Sequence, residues 1–216
     1  MHTSFDPSKG KTMTITLYHA PGACSIAAYI SLLEAGAEFD VVLISLAKKE
    51  QNSESYKALN PKQKVPYLIV DGKGLSENTA IQTWIADTFP DANLLPKDTF
   101  DRARAISYMN WFSSGMHPHI TRHFRTAKFC GVESAHADIK AKAKAMFFGQ
   151  MDLAEQELEG RTWFFDHNTA CDSYFFWVYD RALREDFDLS GLKNCTRHYE
   201  AMKERPNLQK ALAHTK

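Results

Sequence analysis

The chain has 216 residues, of which 44% are hydrophobic and 24% charged, as in ordinary globular proteins with one large domain or two small ones. Its 26 basic and 26 acidic residues balance, which argues against nucleic-acid or anionic-membrane binding, and no apolar run is long enough to span a bilayer. The four cysteines and nine histidines lack any metal-binding spacing, so we expect a cytoplasmic protein with reduced thiols and no metal site.

The first part of the chain alternates between strand and helix patterns. Residues 1–12 are polar and lack the apolar segment of a secretory signal, so we expect a disordered extension or a cloning remnant, with Met13 as the natural start. An apolar β-type run covers residues 14–18, a helix is predicted over residues 23–35, and a second strand over residues 39–46. A strand, a helix and a strand in so short a stretch predict a parallel βαβ unit.

A thiol lies at the start of the first predicted helix. Cys24 and Ser25 follow a Pro21-Gly22 turn. The first N–H groups of a helix lack partners and carry the positive end of its dipole, which stabilises a thiolate, whether of Cys24 or of a bound thiol. The alternative is a buried cysteine without a chemical role.

A proline precedes the next apolar strand, which runs to Val70. Pro66 at this place is either an ordinary trans proline or the cis proline of a tight turn. A cis peptide would leave the amide and carbonyl of Val65 free to pair with a peptide-like ligand. Residues 71–74 (DGKG) then predict a hairpin.

The helix predicted from residue 76 onwards begins with polar residues. Asn78 is a candidate N-cap, the N–H groups behind it suit a carboxylate, and Glu77 suits an ammonium. A carboxylate and an ammonium on one carbon describe an α-amino-acid head group. Many helices, however, carry such caps without binding a ligand.

Beyond a proline-bounded linker the patterns are helical. We place an α/β domain at residues 13–90, the linker at residues 91–97 and an all-helical domain at residues 98–216. One long helix is predicted from Asp98 to about Lys128, with Pro118 as a possible kink. Further helices are predicted at residues 134–158, after a capping box at Thr169 to Asp172, at residues 192–204 and from Pro206 onwards.

Four motifs in this order resemble those of cytosolic glutathione transferases. They are residues 20–25 (APGACS), 64–68 (KVPYL), 77–81 (ENTAI) and the capping box, and the first is similar to the bacterial beta class. The resemblance implies an α/β plus all-α protein with an N-terminal thioredoxin-like domain that binds glutathione and has Pro66 in cis. It further implies a C-terminal helical bundle that forms the hydrophobic-substrate site, and a homodimer.

The resemblance also implies roles for individual residues. Cys24 and Ser25 would lie at the glutathione sulfur, with Ser25 as the hydroxyl donor and Cys24 able to form a mixed disulfide, while His117 helps to set the thiolate. The residues implied in glutathione binding are Lys49, Val65, Pro66, Glu77 and Asn78. The residues expected to form the second-substrate wall are Trp111, Phe112, Gly115, Met116, His117 and His119.

Three positions depart from the beta-class pattern. His19 replaces a tyrosine, Pro118 replaces a lysine after the histidine, and Asn78 replaces a glycine or serine after Glu77. These departures concern the groups that activate the thiolate, not the fold or the glutathione site. The resemblance as a whole favours transfer of glutathione to an electrophilic hydrophobic substrate, by conjugation, ether cleavage or dehalogenation. The alternatives are a thiol-disulfide reductase that uses Cys24 and a non-catalytic binding or regulatory protein.

Overall fold

A mixed four-stranded sheet forms the first half of the protein. The computed structural model describes residues 13–214, so the expectation for residues 1–12 lies outside the described residues. The strands are Ile15–His19 (β1), Asp40–Leu43 (β2), Tyr67–Val70 (β3) and Lys73–Ser76 (β4). They lie in the order β2-β1-β3-β4, with β2 parallel to β1 and the other neighbours antiparallel. The predicted βαβ unit and hairpin are confirmed.

Helices accompany the sheet and make up the second half. Those of the first half are Ile26–Glu34 (α1), Glu54–Leu59 (α2) and Asn78–Thr88 (α3). Those of the second half are Thr99–Trp111 (α4), His117–Phe124 (α5), His136–Glu157 (α6), Ala170–Arg184 (α7), Lys193–Lys203 (α8) and Pro206–His214 (α9). This order confirms the predicted fold class, and none of the helices within the described range has the length and apolar character to cross a bilayer. The exact domain boundaries stay predictions.

Several element boundaries differ from the sequence-based expectation, and β2 covers only residues 40–43 of the predicted 39–46. Helix α1 begins at Ile26 rather than at residue 23, because residues 20–25 form a tight turn in which the Ala23 N–H donates to the Ala20 carbonyl. Gly22 has φ of +73°, a conformation that glycine adopts without strain. The turn places Cys24 at the entrance of α1.

The predicted long helix is interrupted by a π-helical turn. Residues Phe112–Met116 form this turn between α4 and α5. Pro118 has no N–H to donate to a carbonyl one helical turn earlier, so the α-helical hydrogen-bond ladder cannot pass through it unchanged. The kink expected at this proline is therefore a local change of helix type.

Helix α7 is the centre of the second half. Its residues 174–179 are all buried, and its capping box is confirmed, with the Asp172 carboxylate accepting the Thr169 N–H at 2.7 Å. Asp172 is fully buried and also accepts the Phe164 N–H at 3.1 Å and contacts His198 Nε2 at 3.0 Å. Helix α7 packs against α1, so the core of one half supports the start of α1 in the other.

Candidate active site

A cleft of about 620 Å³ lies between the sheet and the helical half. The first half lines it with Cys24, Lys62, Lys64, Val65, Pro66, Ser76, Glu77, Asn78 and Thr79. The second half lines it with Asn110, Ser113, His117 and Tyr174. A larger groove of about 920 Å³ beside the linker carries none of the predicted site residues. The smaller cleft is therefore the candidate active site.

The cis peptide is confirmed and leaves one main-chain group available. The Val65-Pro66 bond is cis, and the hydrogen bonds of the described residues include none from the Val65 N–H. The loop before it is fixed because the Tyr56 hydroxyl and the Asn60 amide donate to the Lys64 carbonyl, at 2.7 and 2.8 Å. The unpaired N–H therefore lies on a rigid edge, where it can receive an extended peptide.

Cys24 borders this edge as a neutral thiol. Its side chain is 8% exposed, and Sγ lies 3.6 Å from the Val65 carbonyl, to which it donates. Burial raises the pKa of the thiol to about 12, which outweighs the opposite effects of its own backbone N–H and of the Lys64 charge. The Asn78 amide donates to the Cys24 carbonyl at 2.8 Å and thereby ties α3 to the start of α1.

Ser25 points away from the cleft. It is fully buried, and its Oγ accepts the Ala20 N–H at 3.1 Å and lies 2.8 Å from His19 Nδ1. Burial lowers the pKa of His19 to about 4, so this ring is neutral and braces the turn. The structure thus brings Cys24 to the cleft but not Ser25. The buried Ser25 hydroxyl does not face the cleft, where it was expected to donate to the glutathione sulfur.

Glu77 rather than Asn78 occupies the N-cap position of α3, and its side chain makes no capping hydrogen bond. The expected cap is therefore displaced by one residue, and Asn78 is the first helical residue with a buried side chain. Glu77 has φ of +73°, a strained conformation for a residue with a side chain. Its carboxylate contacts Lys62 Nζ at 2.6 Å, in a pair whose side chains are 67% and 54% exposed. An ammonium thus already lies at the carboxylate that was expected to bind one.

His117 faces the cleft as a neutral ring. Its ring centroid lies 4.3 Å from that of Trp177, whose Nε1 donates to the Gly22 carbonyl at 3.1 Å. Burial, with smaller effects of the Lys64, Arg181 and Arg125 charges, lowers the pKa of His117 to about 4. The role of Trp177 was missed because its helix was assigned to the core; the need of a buried indole N–H for an acceptor was the available signal.

Most of the residues predicted to form the second-substrate wall do not line the cleft. Phe112 and Met116 are fully buried in the core, and His119 is 8% exposed. The polar residues Asn110 and Ser113 line the cleft in their place. Together with His117, their spacing of three and four residues is that of one helix face, a signal that sequence analysis overlooked.

Lys49 lies outside the cleft, and the described residues offer no metal site. Lys49 is exposed at the start of a short 3-10 turn, Glu50–Asn52, with φ of +59°, and does not line the cleft. Over residues 13–214, no group of three or more histidine, cysteine or carboxylate side chains is arranged to hold a metal ion. The cleft itself presents a thiol, an imidazole, a carboxylate, two lysines and main-chain groups.

Comparisons with known proteins identify the family. Residues 13–87 match the family model described as "Glutathione S-transferase, N-terminal domain". Glutathione S-transferase GstA of Escherichia coli O157:H7 is 32% identical over 201 residues, which are 91% of this chain and 96% of that protein. The chain belongs to the glutathione S-transferase family.

Solved structures agree with this assignment. A glutathione transferase homologue from Sulfitobacter, solved with bound glutathione, has a TM-score of 0.87 and 26% identity over 93% of this chain and 98% of that one. A beta-class enzyme from Sphingomonas chungbukensis has a TM-score of 0.82 and 30% identity over the same shares. The transferase is thus similar to bacterial beta-class enzymes, as its motifs indicated.

Proposed function

We propose that this transferase binds glutathione in the cleft and adds its sulfur to an electrophilic carbon of a hydrophobic second substrate. The observation that carries the proposal is the unpaired Val65 N–H beside the cis peptide, next to Cys24 at the start of α1. An extended cysteinyl unit that pairs with Val65 there would place its own sulfur at the helix N-terminus.

Glu77 and the start of α3 suit the γ-glutamyl head. The unpaired N–H groups of the first turn of α3 would receive the carboxylate, and Glu77 would receive the ammonium after Lys62 moves away. An exposed ion pair of this kind contributes at most about 1 kcal/mol, so its exchange for a ligand ammonium costs little. Lys64 at the cleft, and Lys49 farther out, are the candidates for the glycyl carboxylate.

The reaction needs the glutathione thiolate. An ordinary thiol is only a few per cent ionised at neutral pH, and lowering its pKa by about two units, roughly 3 kcal/mol, makes the thiolate predominate. The N-terminus of α1 and the neutral His117 ring N–H would supply a dipole and a donor for the sulfur, and the neutral Cys24 S–H would supply a second donor after it turns from the Val65 carbonyl. Glutathione's thiol proton passes to solvent, the sulfur electron pair forms the C–S bond, and the leaving group departs with its bonding pair.

The redox alternative is less well supported by the site. A covalent role of Cys24 requires its thiolate, whereas burial keeps this thiol protonated. We also propose a cytoplasmic homodimer, on the strength of the beta-class resemblance alone. Size-exclusion chromatography with light scattering tests the dimer.

The test combines binding with turnover. We expect millimolar glutathione to raise the melting temperature and the enzyme to convert 1-chloro-2,4-dinitrobenzene, with chloride as the leaving group. Glu77→Gln should raise the KM for glutathione, whereas Glu159→Gln, which removes an exposed carboxylate outside the cleft, should not. Absence of both stabilisation and turnover would overturn the proposal. A glutathione disulfide adduct at Cys24 without turnover would favour the reductase instead.

A further inference from the structure

Unpaired positive charges lie at the cleft and at the far end of the helix that begins in it. Lys64 lines the cleft, Arg125 ends the helix that begins at His117, and Lys128 follows one turn later. Among the residues that the structure describes, none of these three cations forms an ion pair, whereas the neighbouring Lys62 is neutralised by Glu77. The region from Lys64 to the end of α5 therefore has an excess of positive charge, although Pro118 stands where a lysine is usual in the beta class.

The cations lie within electrostatic reach of one another and of the reacting region. The charges of Arg125, Lys64 and Lys49 lower the pKa of Lys128, with Arg125 the largest cause. The Lys64 and Arg125 charges also add to the effect of burial on His117. Lys64, Arg125 and Lys128 are therefore close enough to influence one another, and the first two also influence His117.

Arg125 is held in place by an aromatic side chain. Its guanidinium lies 5.1 Å from the centroid of the Phe124 ring, and Arg181 lies 4.1 Å from the same ring. Arg181 is paired with Glu185, which leaves the Arg125 guanidinium as the one of the two without a carboxylate in the described part of the chain. A planar guanidinium supported by a ring is well suited to bidentate recognition of a carboxylate or sulfonate.

Glutathione does not account for all of these charges. Its head carboxylate is assigned to the start of α3, and its glycyl carboxylate requires one lysine, Lys64 or Lys49. Arg125 and Lys128 then have no anion. Arg125 lies eight residues after His117 along α5, roughly 12 Å at 1.5 Å per residue. An arginine side chain and an aromatic acid together can bridge that gap.

We propose that the second substrate is an aromatic or otherwise apolar electrophile that bears an acidic group, and that Arg125 and Lys128 bind this group at the end of α5. The inference rests on the proposed transferase function and narrows its substrate class. It assigns to two residues outside the glutathione site a specificity role that the beta-class resemblance does not give them.

The test compares two electrophiles with the same reaction and different charge. In 1-chloro-2,4-dinitrobenzene and in 4-chloro-3,5-dinitrobenzoate the thiolate displaces chloride, and each rate is divided by its uncatalysed rate. We expect the wild type to favour the benzoate. Arg125→Gln and Lys128→Gln should each lower kcat/KM for the benzoate about tenfold and for the neutral compound at most twofold. Lys210→Gln, which removes an exposed cation on α9, is the matched control.

The outcomes separate this inference from the proposed function. Retained turnover of the neutral compound shows that Arg125→Gln is folded, and partial recovery in Arg125→Lys would indicate recognition of charge. Raising the salt concentration should reduce the preference for the benzoate more in the wild type than in Arg125→Gln, which retains only Lys128. Equal effects on both compounds, or no preference in the wild type, would overturn the inference with the transferase function intact. Failure of both compounds counts against the transferase function itself.

Discussion

The reactivity of Cys24 decides between the two chemistries proposed for the site. Burial raises the pKa of this thiol from its ordinary 9.0 to about 12, so its thiolate fraction at neutral pH is about a thousandfold lower than that of an exposed cysteine. Alkylation by iodoacetamide requires the thiolate. We therefore expect modification of Cys24 in the ligand-free enzyme to be slower by at least a hundredfold than that of a surface thiol.

The chain contains its own comparison for this experiment. Cys130 is half-buried on the segment after α5, whereas Cys171 and Cys195 are fully buried, with pKa values that burial raises further. Limited alkylation at pH 7.4, followed by peptide mass spectrometry, gives a rate for each cysteine in one sample. The expected order is Cys130 first and Cys24 far behind.

Two results would refute this reasoning. One is alkylation of Cys24 at the rate of Cys130, and the other is rapid addition of glutathione from its disulfide to Cys24. Either would show that the thiol ionises readily and would restore the reductase alternative. In a conjugating enzyme, Cys24→Ala removes only one S–H donor, so we expect a loss of roughly fivefold in kcat/KM rather than inactivation.

Three further predictions follow from the buried and paired groups. Glu77→Gln should raise the KM for glutathione about tenfold, whereas Lys62→Met should change it at most threefold, because the exposed pair is weak. Steady-state kinetics with glutathione as the varied substrate measures both values. Equal effects would contradict the assignment of Glu77. Asp172→Ala should lower the free energy of unfolding by about 3 kcal/mol, measured by urea denaturation, because it leaves the buried donors of the capping box without an acceptor. His19 is neutral in the folded protein down to a pKa of about 4 but binds a proton at its ordinary 6.5 when unfolded, so its contribution to stability is present above about 6.5 and decreases as the pH falls towards 4. This group alone accounts for at most about 3 kcal/mol of that loss, and an unchanged pH dependence in His19→Gln would exclude it as the source.

Local sequence signals predicted the parts of the site that depend on local geometry. The Thr169 to Asp172 capping box specifies a conformation within a few residues and is as expected, whereas the residues around Pro66 left cis and trans open, and only the family resemblance implied the cis form that is found. The cap of α3 was displaced by a single residue, to Glu77. The conformation of such caps and turns is determined by adjacent residues, which the sequence shows directly.

The orientation of neighbouring side chains could not be predicted in the same way. Cys24 and Ser25 are adjacent on one turn, yet one borders the cleft and the other lies beneath it, bonded to His19. The residue types alone do not say which of them faces outwards. The prediction of the substrate wall was wrong for a related reason: Phe112 and Met116 face the core and the polar Asn110 and Ser113 face the cleft, which the residue types alone did not indicate.

The electrostatics of the cleft connect these observations to the reaction. Cys24 and His117 are both neutral between pH 5 and 9, because burial raises the pKa of the first and lowers that of the second. Neither can therefore contribute an ionisation to the pH dependence of conjugation in this range, and glutathione's own thiol is the group left to titrate. The positive charge of Lys64, which lines the cleft, favours the thiolate over the thiol without transferring a proton. The acidic group proposed for the second substrate is attracted to Arg125 and Lys128, but close to the reacting carbon it would oppose the effect of Lys64 on the attacking sulfur. We therefore expect the highest kcat/KM for an electrophile whose acidic group lies far from the reacting carbon, at the end of α5.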